Sequence, residues 1–183
     1  MSSYCVFCQT QPEDSLHRIY HDTQYGFPIH DDNALFGRLI LEINQAGLSW
    51  NTILRKADNF HIAYDGFSVD KVANYSEQDR LRLMADAGIV RNRLKINAAI
   101  LNAQRILELQ RDYGSFKKWL DQHQGFSKDE WTKLFKKTFK FTGREIVNEF
   151  LMSTGYLPGA HDESCPIFQK LNVFFQKCHD SLL

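Results

Sequence analysis

The chain has 183 residues, 43% of them hydrophobic and 13% aromatic, with 22 basic and 22 acidic side chains. That length suits one domain, and the apolar content is enough to fill a core. No stretch approaches an apolar span of about 20 residues. Met1-Ser-Ser-Tyr-Cys5 also lacks the charged-then-apolar pattern of a secretion signal, so a cytoplasmic protein with no membrane association is expected.

The hydrophobic pattern reads as helices throughout, with no alternating β-branched run to suggest a sheet. The first 30 residues are irregular. Asp31 or Asp32 can cap a helix whose apolar face is Leu35, Phe36, Leu39, Ile40, Ile43 and Ala46, stopped at Gly47. After Ser49 a second stripe runs through Ile53, Leu54, Ala57, Phe60 and Tyr64 to Asp65-Gly66. Ser68 and Ser76 can each cap a short helix, the second ending at Gly88. A long helix spans about Asn92 to Arg111, and Ser115 starts another. Ser127-Lys-Asp-Glu130 has the form of a capping box. A helix from about Thr142 to Thr154 follows, then an irregular stretch over 155–165, then a last helix with Pro166 in its first turn.

Three features carry chemistry. First, at about 100° per residue, Glu42 falls on the margin of an apolar helical face. Trp50 follows just beyond the helix stop. A half-buried carboxylate needs a partner, and beside an indole it can recognise a base or a cation; a boundary Glu paired with a surface Arg is the plainer alternative. Second, the charge is uneven. Residues 1–90 carry 7 basic and 12 acidic groups (−5), residues 91–145 carry 13 and 6 (+7), and residues 146–183 carry 2 and 4 (−2). The middle segment is a candidate polyanion face, although solvated helix surfaces also collect lysines. Within it, Asp86-Ala-Gly-Ile-Val-Arg-Asn-Arg93 reads as a tight turn between helices. Gly88 allows the reversal, Ile89 and Val90 pin it, and Arg91 and Arg93 stand beside a helix N-terminus that suits a phosphate.

Third, four cysteines without a secretion signal argue against a disulfide framework and leave metal ligation or simple packing. Cys5 and His21 with His161 and Cys165 make a closed tetrahedral set tying two loop segments together. Cys5-Val-Phe-Cys8 and Cys178-His179 form a rival set, and spacing leaves both, and no metal at all, open.

In order and spacing, six segments resemble the bacterial 3-methyladenine DNA glycosylase I family, of the helix–hairpin–helix glycosylase superfamily. They are Cys5-Val-Phe7, Tyr20-His21-Asp22, Leu41 to Trp50, Ala87 to Ile96, Phe139-Lys-Phe-Thr-Gly143 and His161-x3-Cys165. The resemblance implies an all-α helix–hairpin–helix domain over 1–183, with 1–30 and 155–183 clasped into a lobe by one structural zinc. It assigns the zinc to Cys5, His21, His161 and Cys165, base recognition to Glu42, and stacking to Tyr20 and Trp50. Phe7 becomes a pocket aromatic. The family's His-Asp-x-Glu-Trp-Gly is here His21-Asp22-Thr-Gln24-Tyr25-Gly26, and His17 stands where Tyr is common, so His17 and Tyr25 form an altered pocket rim.

The implied activity is monofunctional hydrolysis of the N-glycosidic bond of 3-methyladenine in alkylated double-stranded DNA. Its products would be the free base and an abasic site, and its agent a monomer. Gly88, Arg91, Arg93, Lys136, Lys137 and Lys140 are the expected DNA contacts. A non-catalytic damaged-DNA binder with the same fold is the alternative, and a zinc hydrolase is disfavoured by a closed four-ligand site.

Overall fold

The computed structural model describes residues 3–172, and among these the chain forms only helices and connecting turns. Two compact units emerge. One joins residues up to Pro28 with residues from Leu151 onward; the other is Ile29–Phe150.

The larger unit starts with α3 (Asp32–Gln45), capped by the Asp31 carboxylate, which accepts from the Ala34 N–H at 2.8 Å. Of the apolar stripe read from the sequence, Leu35, Phe36, Leu39, Ile40 and Ile43 are buried and Ala46 is half-buried. Ala46 ends the helix and Gly47 follows in the left-handed region at φ +81°. Ser49 caps α4 (Trp50–Ala63), so Trp50 is the first residue of its helix. A 3₁₀ turn at Asp65–Phe67 leads to α5 (Val69–Ala73), capped by Ser68, and α6 (Glu77–Ala85), which opens with a Ser76–Asp79 capping box. The long α7 (Arg93–Tyr113) is capped by Asn92 and packs against α3, α5, α6 and α8.

The helices α8 (Phe116–Gln122), α9 (Lys128–Thr138) and α10 (Arg144–Ser153) follow, α9 with the expected Ser127–Glu130 box. Phe139 holds α8 to α9, its ring 5.6 Å from Phe116, 5.7 Å from Trp119 and 5.2 Å from Phe135. Asp32, in the first turn of α3, accepts from the N–H groups of Phe116 and Lys117 (2.8 and 2.9 Å), so one carboxylate satisfies free donors at the start of another helix. Asn102 on α7 grips the segment after α9 by accepting from the Lys140 N–H and donating to the Lys140 carbonyl.

The N-terminal segment corrects an expectation. It is not irregular: α1 (Tyr4–Gln9) and α2 (Leu16–Thr23) are helices, capped by the Ser3 and Ser15 hydroxyls. They are too short to show an apolar repeat, and their inward positions are taken by Cys, His and Tyr. Residues 166–172 are helical from Pro166 as expected. Cys178 and His179 lie outside the described residues. Among the described residues no helix is long and apolar enough to cross a membrane.

Gly37, in the middle of α3, is required by packing. A Cβ there would lie 2.4 Å from the ring of Phe67, a buried residue itself held at φ +59°. Gly37→Ala is therefore expected to destabilise the protein by about 1–3 kcal/mol through overpacking. Urea unfolding measures this, and an unchanged midpoint would contradict it.

Candidate functional site

In the smaller unit, Cys5 from α1, His21 from α2, and His161 and Cys165 from the segment after α10 converge. All four are buried, with their ligand atoms within 4.8 Å of one another. His161 Nδ1 lies 3.2 Å from His21 Nε2, 3.7 Å from Cys5 Sγ and 3.8 Å from Cys165 Sγ, and Cys165 Sγ lies 3.7 Å from His21 Nε2. Each imidazole turns its other nitrogen outward to a fixed partner. His21 Nδ1 meets the Asp22 carboxylate at 2.6 Å, and His161 Nε2 meets the Tyr25 carbonyl at 2.7 Å. Such outward bonds fix ring orientation and leave one nitrogen lone pair aimed inward, as metal ligation requires.

Asp22 is held in turn by Arg18 Nε at 2.6 Å. Burial raises the Asp22 pKa, but the hydrogen bonds from His21 and Arg18 outweigh it and keep the carboxyl below its ordinary value. Burial pushes the Cys5 thiol up to about 11, against a hydrogen bond donated by the Asp162 N–H. This cluster can hold a metal ion. Cys8 stands apart, its thiol donating to the His17 carbonyl at 3.6 Å. Gly26 makes room: at φ +78°, its missing Cβ would meet Ala160 at 2.9 Å and the His161 ring at 3.3 Å.

The aromatic candidates of this unit form one cluster around Tyr4, which sequence reasoning missed. The Tyr4 ring lies 6.2 Å from Phe7, 5.8 Å from His17 and 5.5 Å from Tyr25, and its hydroxyl meets His17 Nδ1 at 3.0 Å. Burial lowers the His17 pKa and raises that of Tyr4. Tyr20 and Tyr25 are buried, their rings 5.6 Å apart, whereas Phe7 is exposed. Gln24, where the family pattern has Glu, is also exposed. The only signal for Tyr4 was its position beside Cys5, one turn before Cys8, and that was not enough.

Glu42 and Trp50 belong to the larger unit. The last full turn of α3 carries Glu42, which is only 3% exposed, deeper than the half-burial its helical angle suggested. Trp50 opens α4 and is half-buried. The turn that joins their helices, Gln45 to Ser49, lines an open cavity of about 800 Å³ with Gly143, Arg144 and Glu149; Glu42 and Trp50 are not among its lining residues.

The turn 86–92 between α6 and α7 has the expected outline, with Ile89 buried. Two details differ. Gly88 is not left-handed; it is needed because a Cβ would lie 2.9 Å from Asp86 Oδ1 and 3.2 Å from Asn59. Its N–H is already spent on Asp86 Oδ1, at 2.7 Å. Among the described residues, the N–H groups of Val90 and Arg91 have no acceptor. Arg91, Arg93, Lys136, Lys137 and Lys140 are all exposed, and Arg93 reaches Glu77 at 3.3 Å. Lys136 and Lys137 occupy the last turn of α9, where cations are also favoured by the helix dipole.

A family model described as methyladenine glycosylase matches residues 9–133. DNA-3-methyladenine glycosylase 1 of Escherichia coli is 35% identical over 167 residues, spanning 81% of this chain and 89% of that protein. The chain belongs to the methyladenine glycosylase family. A family member from Haemophilus influenzae, DNA-3-methyladenine glycosylase, is 30% identical over 178 residues, spanning 87% of this chain and 96% of its own. Among solved structures, a variant of 3-methyladenine DNA glycosylase I in complex with 3-methyladenine superposes with TM-score 0.81 at 33% identity, over 91% of this chain and 97% of that one. The Staphylococcus aureus 3-methyladenine DNA glycosylase I gives 0.80 at 33% identity, over 90% and 97%.

Proposed function

We propose that this protein is a monofunctional base-excision repair glycosylase that hydrolyses the N-glycosidic bond of 3-methyladenine in alkylated double-stranded DNA. The observation that carries the reading is Glu42, a carboxylate 3% exposed on an apolar helix, eight residues before an indole that opens the next helix. A buried carboxylate must be hydrogen-bonded or ion-paired, and its several lone pairs also suit a cationic, hydrogen-bonding partner.

N3-methylation supplies such a partner. It gives adenine a positive charge and weakens the bond to the sugar, so the enzyme needs little acid catalysis. Flipping the damaged nucleotide from the stack costs about a few kcal/mol, less than for a normal base. Trp50 offers a π face to the electron-poor ring, worth about 0.5–2 kcal/mol as a cation–π contact. The resemblance assigns a second face to Tyr20. Glu42 accepts charge-assisted hydrogen bonds from the exocyclic amine and adjacent edge. Water then adds to C1′, the N9–C1′ electrons return to the purine and cancel its charge, and the displaced proton passes to solvent. The products are free 3-methyladenine and an abasic site. Glu42→Gln is expected to slow excision from alkylated DNA and weaken binding of the free base by about 1.5–3 kcal/mol, the value of a hydrogen bond to a charged group. Chromatography of released base measures it, and a wild-type rate would remove Glu42 from the site.

We assign the Cys5, His21, His161 and Cys165 cluster to one structural zinc. A tetrahedron with zinc bonds of about 2.3 Å to sulfur and 2.0–2.1 Å to nitrogen has edges of about 3.3 Å between nitrogens and about 3.6 Å between nitrogen and sulfur. The 3.2 Å His–His and 3.7–3.8 Å Cys–His separations match those edges. A cation also favours the thiolate of a cysteine that burial alone holds protonated. With two Cys and two His no position is left for water, so the metal acts on the fold and not in the reaction. Cys165→Ser is expected to lose zinc and stability together. Full zinc content in that variant would transfer the site to Cys5 and Cys8.

The exposed Arg91, Arg93, Lys136, Lys137 and Lys140 are proposed as the DNA face. The free N–H groups of Val90 and Arg91, in place of that of Gly88, take a phosphate. Phosphate contacts carry no sequence information, as suits an enzyme that inspects any sequence. Duplex affinity should fall with salt at a log–log slope of about −0.9 per phosphate neutralised. Replacing Lys136 and Lys137 together should flatten that slope and leave free-base affinity unchanged. An unaltered slope would make them an ordinary solvated helix end.

A further inference from the structure

Lys95 occupies the first turn of α7 and is only 4% exposed, in a segment whose other basic groups mostly face water. Its ammonium donates to the carbonyls of Asn44 and Ala46, at 2.9 and 2.7 Å, and the Phe141 ring lies 5.9 Å from Nζ. Those carbonyls belong to the C-terminal end of α3. There the helix runs out of N–H donors: Ala46 folds its own N–H back to Ile43, and Gly47 turns left-handed. Lys95 thus stands where the next helical donors would have been, and its charge meets the negative end of the helix dipole. Burial lowers its pKa. Phe141, held at φ +61° beside the Asn102 clamp on Lys140, faces the same ammonium. An amine so engaged is committed to carbonyls and is badly placed to act as a nucleophile.

A second lysine makes a parallel link. Lys56, on α4, donates to the carbonyls of Ala87 and Gly88 at 3.0 and 3.1 Å. The helix carrying Glu42 and the helix carrying Trp50 are therefore each fastened by an ammonium to the turn–α7 element. Along the chain, Glu42 and Trp50 are joined by the end of α3 and a turn with a left-handed glycine, and α3 also packs against α4.

We propose that Lys95 is a positioning residue for base excision: by capping α3 from α7 it fixes the 46–49 turn, and so the placement of the Glu42 carboxylate relative to the Trp50 indole. The proposal rests on the reading of Glu42 and Trp50 as the base site. A displacement of about 1 Å in such a pair is enough to cost up to 100-fold in rate.

The test uses the full-length, zinc-loaded protein with Lys95→Met, which keeps length and removes the donors. Excision kinetics on 3-methyladenine-containing duplex should show kcat lowered about tenfold or more with KM for DNA within about twofold. Acrylamide quenching supplies a readout independent of activity. Trp119 and Trp131 are 3% and 0% exposed, whereas Trp50 is half-buried, so the quenchable emission reports chiefly Trp50, and its share should rise in Lys95→Met. If that variant does not fold, Lys95→Gln, which reaches at most one of the two carbonyls, should show a smaller shift of kcat and quenching in the same directions. Wild-type kcat and quenching in a folded Lys95 variant, with Glu42→Gln impaired, would overturn the proposal alone. Wild-type excision by Glu42→Gln would instead overturn the base-site reading on which it stands.

Discussion

An ionisable group removed from water must find a replacement for that water, and this chain buries several. Glu42, Lys95, His21, His161 and the Cys5 thiol are all withdrawn from solvent. Each dictates something about its surroundings. Lys95 takes the last carbonyls of α3 and so decides where that helix ends. His21 and His161 take Asp22 and the Tyr25 carbonyl, and so aim their remaining nitrogens at the two cysteines. Glu42, likewise buried, is the group on which the proposed base recognition rests, because a carboxylate at the end of an apolar helix is well suited to a cationic, hydrogen-bonding ligand.

The two units divide the work by the kind of group they bury. In the smaller one, soft and borderline ligands cluster with aromatic rings on helices of six and eight residues. Helices that short are marginal alone, and the proposed structural metal would supply what a thin core cannot. In the larger one, a conventional apolar core, dense in aromatic contacts among α8, α9 and α10, carries the buried polar groups Glu42 and Lys95, to which base recognition and its positioning are proposed to belong. Removing the metal should act on stability, and altering Glu42 should act on catalysis.

Much of this was legible in the sequence because helix starts are chemically marked. Asp31, Ser49, Ser68, Ser115 and Ser127 each cap the helix expected after them. Gly47, left-handed, marks the stop of α3. The four converging Cys and His residues were named from order and resemblance, although spacing alone left rivals open. What was not legible has physical reasons. The helices α1 and α2 lack an apolar repeat because His, Cys and Tyr fill their inward positions. Tyr4 carries no motif, and its place at the centre of the aromatic cluster arises only when α1 meets α2. Lys95 read as one more charge on a basic segment; only the fold shows that α3 ends against it. Gly88 was singled out as allowing a tight reversal; the fold adds that Asp86 and Asn59 crowd the place a Cβ would take.

The central claim is that a buried carboxylate selects the base by its hydrogen-bonding edge. Glu42 can accept from the amine of an adenine, but it would face the carbonyl acceptor of a guanine on the corresponding edge, and two facing acceptors leave a buried charge unpaired. The most direct measurement is incubation of the wild-type protein with methylated DNA, followed by separation and quantification of every base released. The account predicts 3-methyladenine in large excess over 7-methylguanine. Comparable release of the two would contradict it.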